Sequence, residues 1–295
     1  MILSTSTNIY CERPDGTVLP IQQTLEAAAQ AGFDTFDMSF YEYSYPGSQF
    51  LTEDWRAWAE TILETAERLG LRFYQSHGYT YDFLDPELTQ EQRRWQETLV
   101  RRSIDCCAML GAKVLVTHVS PGRKLDCSPE QLRQYNRRYL RQLIDYADSR
   151  GMKVAIENQF YCDTAPEQMF FAFAQDIAEF VDSFGDPRLG VCWDFEHGAI
   201  MELDQPQVVD TLGHRLTATH VSDTVSKTFE PYMHVMPFTG LLDWKPIMQA
   251  LGRIGYAGAF SFEAHNFLKK MPDELVETGL KFSHQIGRYL LSLAE

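Results

Sequence analysis

Short apolar, β-branched runs alternate with stretches of helical period along the whole sequence, and this rhythm restricts the fold more than any other feature. The runs lie near Ile2–Ser6, Thr35–Met38, Arg72–Ser76, Lys113–Thr117, Lys153–Ile156, Leu189–Trp193, Leu216–Val221 and Ala259–Phe262. VLVT (114–117) and VAI (154–156) are apolar on successive residues, as a parallel strand buried on both faces requires. The intervals read as helices. Trp55, Trp58, Ile62, Ala66 and Leu69 form a stripe that stops at Gly70. In the last interval Leu275, Phe282, Ile286, Tyr289, Leu290 and Leu293 read as one core face after a Pro272-Asp273 start. Gly70, Gly111 and Gly151 stand just before strand runs, where a short turn needs a left-handed residue. Eight such units without a linker, a low-complexity tract or a composition break predict an α/β fold, a single (β/α)8 TIM barrel over residues 1–295. A doubly wound open sheet is the alternative if one run fails to pair.

Charge narrows the function classes. Twenty-six Lys+Arg against 41 Asp+Glu leave −15, which repels polyanions, because nucleic-acid binding relies on basic side chains that displace counterions. The basic pairs Arg93-Arg94, Arg101-Arg102 and Arg137-Arg138 lie in helical stretches amid Glu and Gln and read as solvated faces. No nucleic-acid partner is expected. Nor is a membrane partner, since no apolar run approaches the roughly 18 to 20 residues that span a bilayer. The N-terminus shows no targeting pattern. Cys11, Cys106, Cys107, Cys127, Cys162 and Cys192 have no CxxC or disulfide-framework spacing and read as reduced residues, which together predict a cytoplasmic protein.

In a barrel, reactive groups gather where the strands end. Strand three runs into His77, strand four into His118, strand five into Glu157, strand six into Asp194, strand seven into His220 and strand eight into Glu263. His197 follows in the loop after Asp194, and His234 lies in the long loop after strand seven. Any one of these is most simply a hydrogen-bonded structural group. Consecutive strands that all end this way bring carboxylates together at a partly dehydrated mouth, where they repel and lose hydration. A divalent cation relieves both costs. The best ligand set is Glu157, Asp194, His220 and Glu263, which suits one Mn²⁺ or Zn²⁺, with Co²⁺, Fe²⁺ or Mg²⁺ as further options.

The strings VAIEN (154–158), CWDFEH (192–197), THVSD (219–223) and GYAGAFSFEAH (255–265), with His234-x-x-Pro-x-x-Gly-x-x-Asp-Trp244, carry a family resemblance. The chain resembles the sugar isomerase/epimerase superfamily of xylose isomerase-like TIM barrels, whose relatives include ketose 3-epimerases and endonuclease IV. The resemblance implies a metal on Glu157, Asp194, His220 and Glu263. It also implies that Glu157 and Glu263 act as the catalytic pair, moving protons on opposite faces of a sugar or sugar phosphate through an enediolate. His197 would then orient a substrate oxygen, and His77, His118, His197 and His234 would bind substrate or a second metal. One departure weakens the epimerase assignment: family members that act on free ketoses carry an Arg shortly after the strand-seven His, whereas here only Lys227 supplies a nearby cation. Isomerase, epimerase and dehydratase outcomes all stay open.

Two other functions compete. An endonuclease IV-like abasic-site phosphodiesterase would use His77, His118, His197 and His234 on further zinc ions, but Tyr232 replaces the Asp of that enzyme's Asp-x-His pair. A non-catalytic metal- or sugar-binding barrel would keep the ligands and lack turnover. The loop Phe40–Gly47 offers Tyr41 as a lid or pocket wall, against ordinary rim packing. Trp193 and Phe195 are further wall candidates, with core packing as the equal alternative. Arg123-Lys124 and Asp163-Thr164 could reach substrate hydroxyls or a phosphate. Outer helices leave room for a homo-oligomer.

Overall fold

In a computed structural model that describes residues 1–122, 124–160, 171–226 and 233–294, the eight runs close into one parallel barrel. The strands are β1 (Ile2–Ser6), β2 (Thr35–Ser39), β3 (Arg72–His77), β4 (Val114–Thr117), β5 (Lys153–Glu157), β6 (Leu189–Asp194), β7 (Leu216–Val221) and β8 (Ala259–Phe262). Each pairs with the next, and β8 returns to β1. Four of them run one residue beyond their expected stretch, through Ser39, His77, Glu157 and Asp194. The neighbouring strand still pairs there: Glu157 sits opposite Cys192, and Asp194 opposite His220.

Side-chain alternation then decides what faces the axis. Val114, Val116, Ala155, Cys192 and Ala218 form a separate small cluster that fills the barrel interior. The intervening residues, among them Ile156, Val191, Trp193, Phe260 and Phe262, join the larger core between strands and helices. Two residues beyond the interior cluster, the same period delivers His118, Glu157, Asp194 and His220 to the axis at the next layer.

The helical layer comprises α1 (Ile21–Ala31), α2 (Trp55–Leu69), α3 (Gln90–Met109), α4 (Pro129–Asp148), α5 (Ala174–Asp182), α6 (Phe195–Ile200), α7 (Gln205–Leu212), α8 (Trp244–Arg253), α9 (His265–Lys269) and α10 (Asp273–Ser292). Thr89 with Gln92 and Ser128 with Gln131 form capping boxes that start α3 and α4, each worth about 1 kcal/mol. At the end of α2, Gly70 adopts φ 70°, so its N–H reaches back to Ala66 and Glu67.

Two expectations are corrected. On α10, Leu275, Phe282 and Tyr289 are 52, 49 and 56% exposed, and the buried face is Val276, Gly279, Leu280, Ser283, Ile286, Gly287 and Leu290. The cause is close backbone approach. A Cβ at Gly287 would overlap Leu3 and one at Gly279 would overlap Leu268, so the contact face is marked by glycines that carry no hydrophobic signal. Arg102 is likewise no solvated residue: it is 5% exposed and donates from Nη1 to the carbonyls of Phe50 and Thr52. The cysteines among the described residues are free, as expected, while Cys162 lies outside them. Among the described residues no helix is long and apolar enough to cross a membrane.

Candidate metal centre

Glu157 is the hub of the barrel mouth. Its Oε2 lies 3.1 Å from His118 Nε2 and 3.3 Å from His77 Nε2, and its Oε1 lies 3.0 Å from His220 Nδ1. The two imidazoles on the Oε2 side meet each other at 3.1 Å. On the other side, Glu263 Oε2 is also 3.0 Å from His220 Nδ1. Two groups therefore have ligand atoms that converge within 4.8 Å: Glu157, Asp194, His220 and Glu263, and next to it His77, His118 and Glu157. The first is the set expected from the sequence. The second gathers two of the four histidines assigned to substrate or a second metal.

The electrostatics identify what the mouth lacks. Asp194 Oδ1 caps α6 by accepting from the backbone N–H groups of Glu196 and His197 at 2.7 and 3.0 Å. Its Oδ2 is buried without a hydrogen-bond partner, and His197 Nε2 is 3.7 Å away. Burial raises the Asp194 carboxyl above its ordinary range. A buried acceptor left unpaired costs about 1–3 kcal/mol, which a cation at this position would remove. Elsewhere in the mouth, protonated imidazoles carry the positive charge. Burial opposes charge on His77, but its hydrogen bond to Glu157 and the Glu157 charge outweigh it and lift the ring to about 9. His220 is raised well above its ordinary value despite burial, with Glu263 and Glu157 on Nδ1 and Asp37 Oδ2 3.2 Å from Nε2. Burial likewise opposes ionisation of Glu157 and Glu263, yet the charge of His220 holds both below the usual carboxylate range. His118, by contrast, is lowered by burial. The donor set, the orphaned oxygen and the excess of carboxylates fit a divalent cation of borderline or hard character.

His197 and His234 stand beside these groups. His197 Nδ1 is 2.8 Å from the Asn158 carbonyl, which leaves Nε2 toward Asp194, and Phe160 stacks on the ring with centroids 4.5 Å apart. The loop after β7 does fold back over the mouth. Asp223 accepts from Leu242 N and Trp244 Nε1 at 3.1 and 2.9 Å and bridges to Val235, and His234 comes to rest with Nδ1 3.1 Å from the Glu263 carbonyl. Its backbone N–H donates to Glu196 Oε2 at 2.7 Å. Burial of Glu196 raises that carboxyl to about 7, and His234 rises to about 9 because the charge of Glu196 outweighs its own burial.

The proposed walls are placed differently. Trp193 and Phe195 have no exposed surface: Trp193 points away from the axis and donates to Gln205, and Phe195 packs edge-on against Trp244. For Trp193 strand alternation is the reason, since Cys192 and Asp194 take the inward positions of β6, whereas Phe195 already belongs to α6. Tyr41 is 80% exposed, while Phe40 and Tyr43 of the same loop pack against Trp58, which is the rim-packing alternative. Lys124 pairs with Asp85 and Glu87. Arg123, Asp163, Thr164, Lys227 and Tyr232 lie outside the described residues. Sequence reasoning missed four groups: Asp37 behind His220, Glu196 behind His234, Phe160 on His197, and Glu42, which accepts from Ser39 and Asn8 at the rim. Asp37 could have been found as a carboxylate interrupting the apolar run of β2.

Residues 25–286 match the family model described as Xylose isomerase-like TIM barrel, and the chain belongs to that family. A curated relative, the uncharacterized protein y4fM of Sinorhizobium fredii (strain NBRC 101917 / NGR234), is 27% identical over 175 residues, which cover 58% of this chain and 53% of the relative. The chain thus spans about half the length of that relative. Among solved structures, a D-tagatose 3-epimerase-like protein superposes with a TM-score of 0.75 at 16% identity, covering 100% of this chain and 98% of the other. A D-psicose 3-epimerase crystallised in the presence of D-fructose gives 0.73 at 16% identity, with 99% of both chains covered. At such identities the likeness is one of fold.

Proposed function

We propose that this chain is a divalent-metal-dependent isomerase or epimerase of sugars or sugar phosphates that works through an enediolate. One observation carries the reading: the four-ligand group contains a carboxylate that is still open to the mouth. The Glu263 side chain is 13% exposed, whereas that of Glu157 is 2% exposed and held by imidazoles on both oxygens. Glu263 is therefore placed to take the proton from the carbon beside a substrate carbonyl, since it is ionised and within reach of an entering ligand. Glu157, which meets the same His220 Nδ1 at 3.0 Å, is the candidate to return a proton on the other face. A cation held by Glu157, Asp194, His220 and Glu263 would supply Lewis-acid stabilisation of the oxyanion that develops on enolisation. His197, with Nδ1 on the Asn158 carbonyl, Phe160 on its face and Nε2 toward Asp194, is suited to meet a substrate hydroxyl. The two named neighbours, one a ketose 3-epimerase and one described as like a ketose 3-epimerase, support the same chemistry.

A second reading has its own observation. His77, His118 and Glu157 form a further ligand group that shares Glu157, and paired cations suit phosphodiester hydrolysis of the endonuclease IV kind. The charge of −15 opposes a DNA backbone as ligand, so the sugar reading ranks first. The experiment is deuterium exchange in D₂O. Metal-restored protein is incubated with a panel of ketoses and ketose phosphates, with an abasic duplex assayed in parallel. The expected result is label entering the carbon beside the carbonyl, lost in Glu263→Gln while metal binding persists. Exchange at the wild-type rate in that variant would remove the proton-transfer role. Cleavage of the abasic duplex would favour the second reading, and ligand binding without exchange would leave a non-catalytic barrel.

A further inference from the structure

We propose that Asp37 is the positioning residue of the metal centre, fixing which nitrogen of His220 faces the cation and anchoring the strand end that presents His77. The inference rests on the cation reading above. Asp37 is 1% exposed and sits on β2, where the register against β3 slips between Phe36 and Asp37, an irregularity of the kind that re-aims a side chain beside a site. Three groups converge on its two oxygens. The backbone N–H of His77 donates to Oδ1 at 2.9 Å, Gln75 Nε2 donates to Oδ2 at 2.6 Å, and His220 Nε2 lies 3.2 Å from Oδ2. Gln75 is 0% exposed, and its Nε2 also donates to the Thr219 carbonyl at 3.2 Å. Its amide is thus oriented by two acceptors, and Asp37 meets a donor there.

Asp37 therefore faces two obligate donors, His77 N–H and Gln75 Nε2, one at each oxygen. Only a carboxylate accepts at both. With both oxygens acting as acceptors, the His220 proton is drawn to Nε2, and Nδ1, which faces Glu157 and Glu263, is left as the ligand nitrogen. This is the carboxylate–histidine–metal arrangement in which an outer acid sets tautomer and ring orientation. A carboxyl group so fully buried loses the hydration of both oxygens unless donors replace it, and here each oxygen meets one.

Asparagine at 37 discriminates this role from simple space filling. It has nearly the same shape, but one of its two ends must be an NH₂. At the Oδ1 end the NH₂ would confront the His77 backbone N–H, which cannot change. At the Oδ2 end it would confront Gln75, and it would be compatible with His220 only if the ring held its proton on Nδ1, the position the cation needs. Asp37→Asn should thus trap the wrong tautomer.

The test compares wild type with Asp37→Asn in three measurements: Co²⁺ affinity by chelator competition, metal-free thermal unfolding by circular dichroism, and ¹⁵N NMR of histidine-labelled protein with the His220 ring assigned by its loss in His220→Gln. The expected result is a folded variant whose Co²⁺ affinity falls about 10–100-fold, with the His220 proton on Nε2 in Co²⁺- or Zn²⁺-loaded wild type and on Nδ1 in the variant. A folded variant that binds Co²⁺ within twofold of wild type would overturn the proposal. Should the variant not fold, the wild-type spectrum alone decides, because a metal-loaded His220 protonated on Nδ1 is incompatible with the role. Failure of wild type to bind Co²⁺, Zn²⁺ or Mn²⁺ would instead refute the cation reading itself.

Discussion

Exchanging Glu157 for Gln replaces the carboxylate that both ligand groups share with a neutral amide of the same size. In the metal-free chain this side chain is 2% exposed and lies 3.3 Å from His77 and 3.0 Å from His220. Its bond and charge keep the buried His77 protonated up to about 9, against an ordinary 6.5. At 1.36 kcal/mol per pH unit, that difference corresponds to roughly 3 kcal/mol of stability held by the charged pair. The sign follows from the direction of the shift. A histidine whose folded pKa is raised contributes fully below its unfolded value near 6.5 and loses that contribution as pH rises through about 9. Glu157 is itself held below the usual carboxylate range, so it stays charged throughout this window. The expected outcome is a wild-type advantage over Glu157→Gln of about 3 kcal/mol near pH 6, falling to about 1 kcal/mol near pH 8 and less above it. Urea denaturation in EDTA at a series of pH values measures it, and metal analysis should show that the variant has lost its cation. A gap that stays constant or widens from pH 6 to pH 9 would refute the pairing. Full retention of metal would refute the assignment of Glu157 as the shared ligand.

Three further outcomes follow from the geometry. His118→Gln should leave one cation per chain at a cost below about 1 kcal/mol in stability, because this ring is 34% exposed and lies outside the set Glu157, Asp194, His220 and Glu263; loss of the bound cation by elemental analysis would show that His118 helps to hold it. Metal affinity should rise with pH, since a cation entering the set Glu157, Asp194, His220 and Glu263 displaces the proton from the raised His220 ring, and a pH-independent affinity in chelator competition would contradict that protonation. On α10, Leu290→Ala should cost about 2–5 kcal/mol and Phe282→Ser about 0.5 kcal/mol or less, the reverse order in thermal unfolding restoring the apolar stripe read from the sequence.

The barrel was legible because each strand announces itself twice, by an apolar run and by a polar residue where the run stops. The candidate ligands were legible as a cluster for the same reason, since Glu157, Asp194 and His220 continue the inward alternation of Ala155, Cys192 and Ala218 by one step. What the sequence hid obeys equally simple physics. Trp193 adjoins Asp194 on β6, where neighbours along a strand take opposite faces, and Phe195 opens α6 and packs against Trp244. The α10 face was misread because its contacts are made at Gly279 and Gly287, where the missing side chain is the signal. Asp37 escaped because attention to strand ends passes over a carboxylate inside a run, although a charged residue facing the barrel interior is the more expensive placement and so the more informative one.

The arrangement of charge also gives the acidity of this chain a local meaning. Around the mouth, Asp37, Glu157, Asp194 and Glu263 are all buried or nearly so, and two imidazolium rings, His77 and His220, lie against three of them. Asp194 Oδ2 is left over. Protons on histidine thus do in the metal-free chain what a cation would do when bound: they hold together carboxylates that would otherwise push the strand ends apart. The two states compete for the same nitrogen atoms. A site built this way is weakened by alkali when empty and strengthened by it when a metal is offered, and this opposite response to pH separates a cation site from a network of structural ion pairs that merely resembles one.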